Sequence, residues 1–247
     1  MTAGHPGAGS DERPAALNPD HHADVTGGWL RAATFGAMDG LVTNIALIAG
    51  VGGGGVPPDT IVLTGLAGLV AGAISMGLGE FTSVRAQNEQ VAAEVAKERR
   101  ELERFPDAEA AELADKWIAR GLPPELARQV ADALRDNPAE ALRVHAQEEL
   151  GVDPEEQPSP WTAAFSSFVC FAVGALVPLL PYLLGGETLG PALAAGGVGL
   201  FVAGVLVSRF TRRPWWLVGT RQLLLGAAAA AATYAVGALI GVSGGVG

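Results

Sequence analysis

The sequence is poor in cysteine and in charge. Cys170 is the single cysteine among 247 residues, so neither a disulfide framework nor a thiolate metal cluster can form within one chain. Charged residues make up 17% of the sequence, Lys97 and Lys116 are its only lysines, and the net charge is −10. Of the 26 acidic residues, 17 lie between residues 91 and 156. One acidic segment is therefore flanked by long stretches with very little charge.

Several motifs are also absent. The sequence has no G-x-x-x-x-G-K-[ST] loop to bind nucleotide phosphates, so we expect no ATP-driven pumping and neither a nucleotide nor a nucleic acid as partner. The first 28 residues are polar and rich in glycine and proline, without the apolar run of a signal peptide, and they predict a disordered tail. His21 and His22 in this tail could contact a metal ion, but a solvated pair is the simpler interpretation.

Long apolar runs are what the chain has instead. A helix needs about 20 apolar residues to cross the roughly 30 Å hydrocarbon core of a bilayer, and five segments are long enough. They are 32–52, 60–84, 161–184, 189–208 and 216–240. The pattern predicts an all-α membrane protein with five transmembrane helices in the lipid bilayer, and a soluble helical insert between the second and the third.

The basic residues predict the orientation of the spans. They fall at the ends that place the N-terminus and the insert in the cytoplasm and the C-terminus outside. An Ala- and Gly-rich composition with Arg far above Lys hints at a GC-rich bacterial genome, so we expect the bacterial plasma membrane. The predicted domains are a tail (1–30), spans one and two (31–85), a cytoplasmic acidic metal-binding domain (86–156) and spans three to five (157–247).

A carboxylate stands inside the first span, in the stretch "GAMDGLVTN". Burying the charge of Asp39 roughly 12 Å deep costs at least ~2.5 kcal/mol, so such a residue usually faces the bundle interior or an ion path. A protonated Asp39 bonded to a neighbouring helix is the alternative. Met76 on span two lies at a similar depth, and Glu80 one turn nearer the insert. A thioether beside carboxylates favours a transition metal, unless Met76 only packs.

The insert carries glutamates at helical spacing. They are Glu94, Glu98 and Glu101, then Glu109 and Glu112, and finally Glu149 with His145 one turn before it. Clustered carboxylates repel one another unless cations screen them, and Glu-rich helical faces with a Glu/His pair are known to bind divalent iron or manganese. Spacing leaves open the alternative of a solvated acidic face, with arginines as i,i+4 partners.

Three stretches together resemble one known family. "FGAMDGLVTNIALIAGV", "GLAGLVAGAISMGLGEFTSVRAQNE" and the insert ending in "EELGVDPEE" are similar to the vacuolar iron transporter family, from about residue 31 to the C-terminus. The resemblance implies a dimeric, H⁺-coupled exporter of Fe²⁺ and related divalent ions from the cytosol. It implies a pathway lined by Asp39 and Met76, with Glu80 nearby. It also implies a metal-collecting site formed by Glu98, Glu101, Glu109, Glu112 and Glu149.

One departure from that family bears on the choice of metal. His145 and Ala146 stand where the eukaryotic pattern has a pair of methionines, so imidazole replaces a thioether as the candidate ligand. We expect a secondary transporter for iron or manganese homeostasis and detoxification, not an enzyme, with Fe²⁺ or Mn²⁺ and protons as partners and no permanent cofactor. The alternatives are a membrane-anchored iron sensor or oxidase, which would need paired Glu-x-x-His motifs that the sequence lacks, and a passive divalent-cation channel.

Overall fold

A computed structural model describes residues 28–211 and 213–244, and their regular secondary structure is helical. His21 and His22 lie outside these ranges. The helices are α1 (Gly28–Gly53), α2 (Pro58–Arg104), α3 (Pro106–Ala119), α4 (Pro124–Arg135), α5 (Pro138–His145), α6 (Pro160–Leu183), α7 (Leu189–Thr211) and α8 (Trp215–Gly244). Within the described ranges α1, α2, α6, α7 and α8 are long and apolar enough to cross a membrane. The predicted all-α architecture with five spans is confirmed.

Helix α2 is the longest element, with 47 residues. It begins at Pro58, which occupies its first turn together with Asp59, and no further proline interrupts it until Pro106 opens α3. Its length of roughly 70 Å is more than twice the thickness of the hydrocarbon core. One continuous helix therefore forms the second span and extends into the insert.

Helix α1 lies at the centre of the membrane bundle and packs mainly against α6 and α8, with α2 and α7 beside it. Small residues permit this closeness. A Cβ atom at Gly40 would lie 2.2 Å from the carbonyl oxygen of Phe171 in α6, and one at Gly237 in α8 would lie 1.8 Å from that of Gly50. Because association of helices in lipid depends on packing, these glycines hold the span that carries Asp39 in a fixed position.

The insert consists of the distal part of α2 with α3, α4 and α5. A small alanine-rich core joins α3 to α4. Val95 of α2 packs against Leu142 in α5 and against Ala146, the residue that follows α5. Helix α5 begins where the side chain of Asn137 accepts a hydrogen bond from the backbone N–H of Glu140. It continues into a π-helical turn, Ala146–Leu150, which ends at Gly151 with φ +66°. This turn sets the direction of Glu149.

Candidate metal sites

Asp39, Met76 and Glu80 line one cavity of about 300 Å³ between α1 and α2. The structure thus brings together the three side chains that the sequence selects for the pathway. The other lining residues are Phe35, Thr43, Gly72, Ser75, Gly79 and Phe171. A carboxylate and a thioether that face the same cavity inside a membrane bundle can both reach one partly dehydrated cation.

Hydroxyl groups accompany the acidic side chain in this cavity. Thr43 lies one turn beyond Asp39 on α1, and its Oγ1 donates a hydrogen bond to Asp39 Oδ1 at 3.3 Å. Ser75 of α2 lines the same cavity beside Met76. We did not select either hydroxyl from the sequence. For Thr43 a signal was available, because a polar residue at i+4 from Asp39 must share its helix face.

Arg31 lies at the end of the cavity nearest the insert. It lies in the first turn of α1 and forms an ion pair with Glu80, whose side chain is buried although that of Arg31 is mostly exposed. A cation that binds Glu80 must therefore compete with this guanidinium. From the sequence Arg31 is only a positive charge before the first span, and the two residues are 49 positions apart.

The cavity is open on the side that faces away from the helix bundle, toward lipid. Phe35 at its rim is 59% exposed, and Leu78 on the neighbouring turn of α2 is 64% exposed. Polar side chains such as Asp39 are unfavourable next to lipid. The single chain therefore leaves its intramembrane carboxylate without a full protein wall.

A second cluster lies in the insert and draws on four elements. Glu98 of α2, Glu109 of α3, His145 of α5 and Glu149 of the π turn each offer one ligand atom, and these atoms lie within 4.8 Å of one another. His145 Nδ1 lies 3.0 Å from Glu98 Oε1, 3.3 Å from Glu149 Oε1 and 3.8 Å from Glu109 Oε2. Three carboxylates and an imidazole suit a divalent transition metal.

Burial makes this cluster electrostatically unfavourable without a cation. His145 is 2% and Glu98 5% exposed, and Glu98 Oε1 accepts no hydrogen bond of normal geometry. Burial, followed by the charges of Glu149, Glu101 and Glu112, raises the pKa of Glu98 to about 7. Burial, and then the charge of Glu98, likewise raises the pKa of Glu109. A bound cation would offset both effects.

A lysine supplies part of the positive charge that a bound cation would bring to these carboxylates. Lys116 Nζ lies 2.8 Å from Glu149 Oε1 and 3.2 Å from Glu112 Oε1. Burial opposes the charge of Lys116, but its hydrogen bonds to the two glutamates raise its pKa overall. Burial also opposes the charge of Glu149, yet the hydrogen bond and charge of Lys116 lower the pKa of that carboxyl. Lys116 is not among the residues that the sequence predicts for this site.

The other predicted ligands lie beside the cluster. Glu112 contacts Lys116, and Glu101 Oε2 lies 3.7 Å from Lys97 Nζ. Of the six predicted ligands, Glu98, Glu109, His145 and Glu149 therefore converge, whereas Glu101 and Glu112 are held by lysines. Among the described residues, the arginines proposed as alternative partners form no ion pair with these glutamates; they are Arg99, Arg100 and Arg104.

Comparison with known proteins decides the family. A family model described as the VIT family matches residues 30–238, which is most of the chain. The chain belongs to the VIT family. The match includes both spans that line the cavity and the whole insert.

Relatives of this VIT-family chain cover nearly its full length. It is 32% identical over 229 residues to vacuolar iron transporter 1 of Oryza sativa subsp. japonica, covering 90% of this chain and 91% of the relative. It is 34% identical over 231 residues to vacuolar iron transporter 2 of the same species, covering 91% and 94%. The vacuolar iron transporter of Acanthamoeba castellanii is 35% identical over 202 residues, covering 76% and 74%.

These VIT relatives contradict the expected location. They are eukaryotic proteins of plants and an amoeba, and their names refer to the vacuole, so the assignment to a bacterial plasma membrane is wrong. That assignment rested on residue composition. Alanine and glycine are abundant here because close helix packing requires small residues, and this requirement is the same in any membrane.

Proposed function

We propose that this VIT-family chain exports a divalent transition metal, Fe²⁺ or Mn²⁺, from the cytosol in exchange for protons, for metal homeostasis and detoxification. The observation that carries the proposal is the intramembrane cavity that both the carboxylate of Asp39 and the thioether of Met76 line. The names of the relatives support the class of cargo, since they are vacuolar iron transporters at 30–35% identity. The chain acts as a secondary transporter, without catalysing a chemical reaction.

Asp39 supplies the exchange step of this proposal. Its carboxylate binds the cation when ionised and releases it when protonated, so metal and proton use the same oxygens in turn. Met76 adds a soft ligand that favours Fe²⁺ over Mg²⁺ or Ca²⁺. The hydroxyl of Thr43 holds Oδ1 of Asp39 in place by a hydrogen bond. Glu80, at the end of the cavity nearest the insert, binds the incoming ion when the ion displaces Arg31 from its carboxylate.

The insert collects the metal before transport. Its four converging ligands hold one cation, which offsets the burial and the repulsion that raise the pKa of Glu98, and Lys116 then remains with Glu112. The insert lies on the cytosolic side in this proposal. Because α2 is continuous, Glu98 is joined to Glu80 by 18 residues of helix, roughly 27 Å. The cluster therefore raises the local concentration of metal near the mouth of the cavity.

A second copy of the chain completes the pathway. The open side of the cavity, at Phe35 and Leu78, needs a wall that excludes lipid from Asp39. An isologous dimer supplies such a wall, because each copy presents the same face to the other. We therefore propose a homodimer in which the two cavities lie near the dimer axis.

Transport by the purified protein in liposomes tests this function. Metal flux and internal pH are followed together while Fe²⁺, Mn²⁺, Zn²⁺ and Mg²⁺ are compared. We expect Fe²⁺ or Mn²⁺ flux accompanied by proton movement in the opposite direction, and little response to Mg²⁺. Metal flux without proton movement would indicate a passive channel. Metal binding or oxidation without flux would indicate an anchored sensor or oxidase.

A further inference from the structure

Asn44 is a buried amide whose oxygen has no partner. It lies in α1, five residues beyond Asp39, and is 1% exposed. Its Nδ2 donates a hydrogen bond to the backbone carbonyl of Ala175 in α6 at 2.5 Å, which fixes the orientation of the amide because only the NH₂ group can donate. Its Oδ1 accepts no hydrogen bond. A buried acceptor without a partner is unfavourable and uncommon in folded proteins, so this oxygen calls for an explanation.

The oxygen of Asn44 faces a gap in α2. A Cβ atom at Gly68 would lie 3.5 Å from Asn44 Oδ1, so the absence of a side chain there keeps the oxygen clear. Gly68 is one turn from Gly72, and Thr43 is the chain neighbour of Asn44; Gly72 and Thr43 both line the cavity of Asp39. Asn44 Oδ1 therefore lies one turn deeper between the same two helices, on the side away from the insert.

Two apolar side chains lie against the glycines of α2 beside the cavity and this oxygen. A Cβ atom at Gly72 would lie 2.2 Å from Cζ of Phe171, and one at Gly68 would lie 2.5 Å from Cδ2 of Leu47. Both neighbours are the ends of side chains, which can rotate without displacing a helix. Phe171 borders the cavity of Asp39, and Leu47 lies with Asn44 beside Gly68, so movement of these two side chains is the route by which an ion would pass from the cavity to Asn44.

We propose that Oδ1 of Asn44 is a second coordination point for the transported divalent cation, one helical turn beyond Asp39. The inference rests on the proposed function and extends its pathway. An amide oxygen is a hard ligand for a divalent ion, but it carries no net charge. It accepts an ion that protonation displaces from Asp39 and, unlike a second carboxylate, it does not trap the ion. Conduction through successive sites requires such weak binding.

Paired glycine substitutions test the proposal in the full-length protein, with Mn²⁺ flux into liposomes as the measurement. Gly68→Ala places a methyl group in front of Asn44 Oδ1 and leaves the hydrogen bond to Ala175 intact. Gly65→Ala is the matched control, because its Cβ would lie 2.6 Å from Cδ1 of Leu179 and its three nearest atoms all belong to that leucine side chain. Both substitutions thus displace the end of one leucine side chain, and only Gly68→Ala covers an oxygen.

We expect Gly68→Ala and Asn44→Leu to lower kcat at least about tenfold with little change in KM for Mn²⁺, because binding at Asp39 precedes the affected step. Gly65→Ala should transport like the parent. If Asn44→Leu does not fold, the comparison of Mn²⁺ flux between Gly68→Ala and Gly65→Ala tests the inference. Equal rates for these two glycine variants, or a rise in KM with kcat unchanged, would overturn the inference alone. Absence of metal flux in the parent protein would overturn the proposed function, and this inference with it.

Discussion

At Asp39, one substitution separates the charge of the side chain from its shape. Asp39→Asn keeps the size of the side chain and its contact with Thr43 but removes the exchangeable proton and the negative charge. We expect metal flux and coupled proton flux to fall to background in liposomes, with insertion unchanged, since removing an intramembrane charge relieves a cost of at least ~2.5 kcal/mol. Asp59→Asn, at the first turn of α2, is the control and should transport normally. Parental rates for Asp39→Asn would make this carboxylate structural.

Met76 reports on the choice of metal. Met76→Leu conserves volume closely and should leave the unfolding temperature nearly unchanged. It removes the soft ligand from the cavity, so we expect kcat/KM for Fe²⁺ to fall by about tenfold, equivalent to ~1.4 kcal/mol, and that for Mn²⁺ to fall less. Parallel flux assays with the two ions measure the difference. An equal loss for both would show that the thioether packs and does not bind the metal.

Residues that share a depth could be predicted from the sequence, whereas residues that share a contact could not. Counting along two adjacent antiparallel spans places Asp39 and Met76 at one level, and the structure has both in one cavity. The pairing of Arg31 with Glu80 and the position of Lys116 depend on how each helix is rotated about its axis. Rotation is set by tertiary packing, which no local spacing encodes.

Among the elements, the insert offers a test of its acidic face. Replacing Glu98, Glu101, Glu109 and Glu112 together with Gln keeps helix propensity nearly unchanged but removes the anionic ligands. Calorimetry on the full-length protein in detergent should show fewer bound Mn²⁺ ions. Flux should slow at low metal and largely recover at high metal, a rise in KM with kcat less affected. Unchanged metal binding would favour the alternative interpretation, in which these glutamates form a solvated acidic face.

The same helices should respond to pH when no metal is bound. The pKa of Glu98 rises from 4.5 when unfolded to about 7 when folded, so the folded insert binds the extra proton between these values. The contribution of Glu98 to stability is therefore fully present below pH 4.5 and is lost as the pH rises to 7, by on the order of 3 kcal/mol at most. Glu109 acts in the same sense and Glu149 in the opposite one.

Hydrogen exchange in α3–α5 measures this local stability. Protection in the metal-free protein should decrease from pH 5 to pH 8, after correction for the intrinsic exchange rate, and Mn²⁺ should restore it. Glu98→Gln should flatten the dependence, whereas Glu94→Gln, an exposed change one turn earlier on α2, should leave it as it is. A dependence that survives Glu98→Gln would assign it to other groups.

At the level of helices, the strongest sequence signals are the residues that mark where one helix ends and the next begins. Pro106 and the Asn137–Pro138 pair mark the starts of α3 and α5 as the sequence indicates. The π-helical turn at Ala146–Leu150 has no such marker, and it carries Glu149, whose Oε1 lies 3.3 Å from His145 Nδ1. The convergence of four ligands was therefore a matter of tertiary structure, although every ligand had been named.

For the whole molecule, the proposed dimer can be tested by crosslinking. On a Cys170→Ser background, Phe35→Cys places a thiol at the open rim of the cavity, and Leu224→Cys places one on an exposed position of α8. We expect disulfide-linked dimers in native membranes from Phe35→Cys and few from Leu224→Cys. The reverse pattern would place the interface on α8 and leave the cavity facing lipid.

The unbroken course of α2 has a mechanical consequence. Met76 and Glu98 belong to one stiff rod of roughly 70 Å, so the rod acts as a lever whose pivot is its packing against α6. Met76 lies within that packing, and Glu98 is 22 residues, or roughly 33 Å, further along the rod, so a tilt of about 5° about the pivot displaces Glu98 by roughly 3 Å. We expect a cation in the insert cluster to draw α3 and α5 toward Glu98 and so to apply a torque to this lever. We therefore expect metal occupancy of the insert to change the tilt of α2 where Met76 lines the cavity.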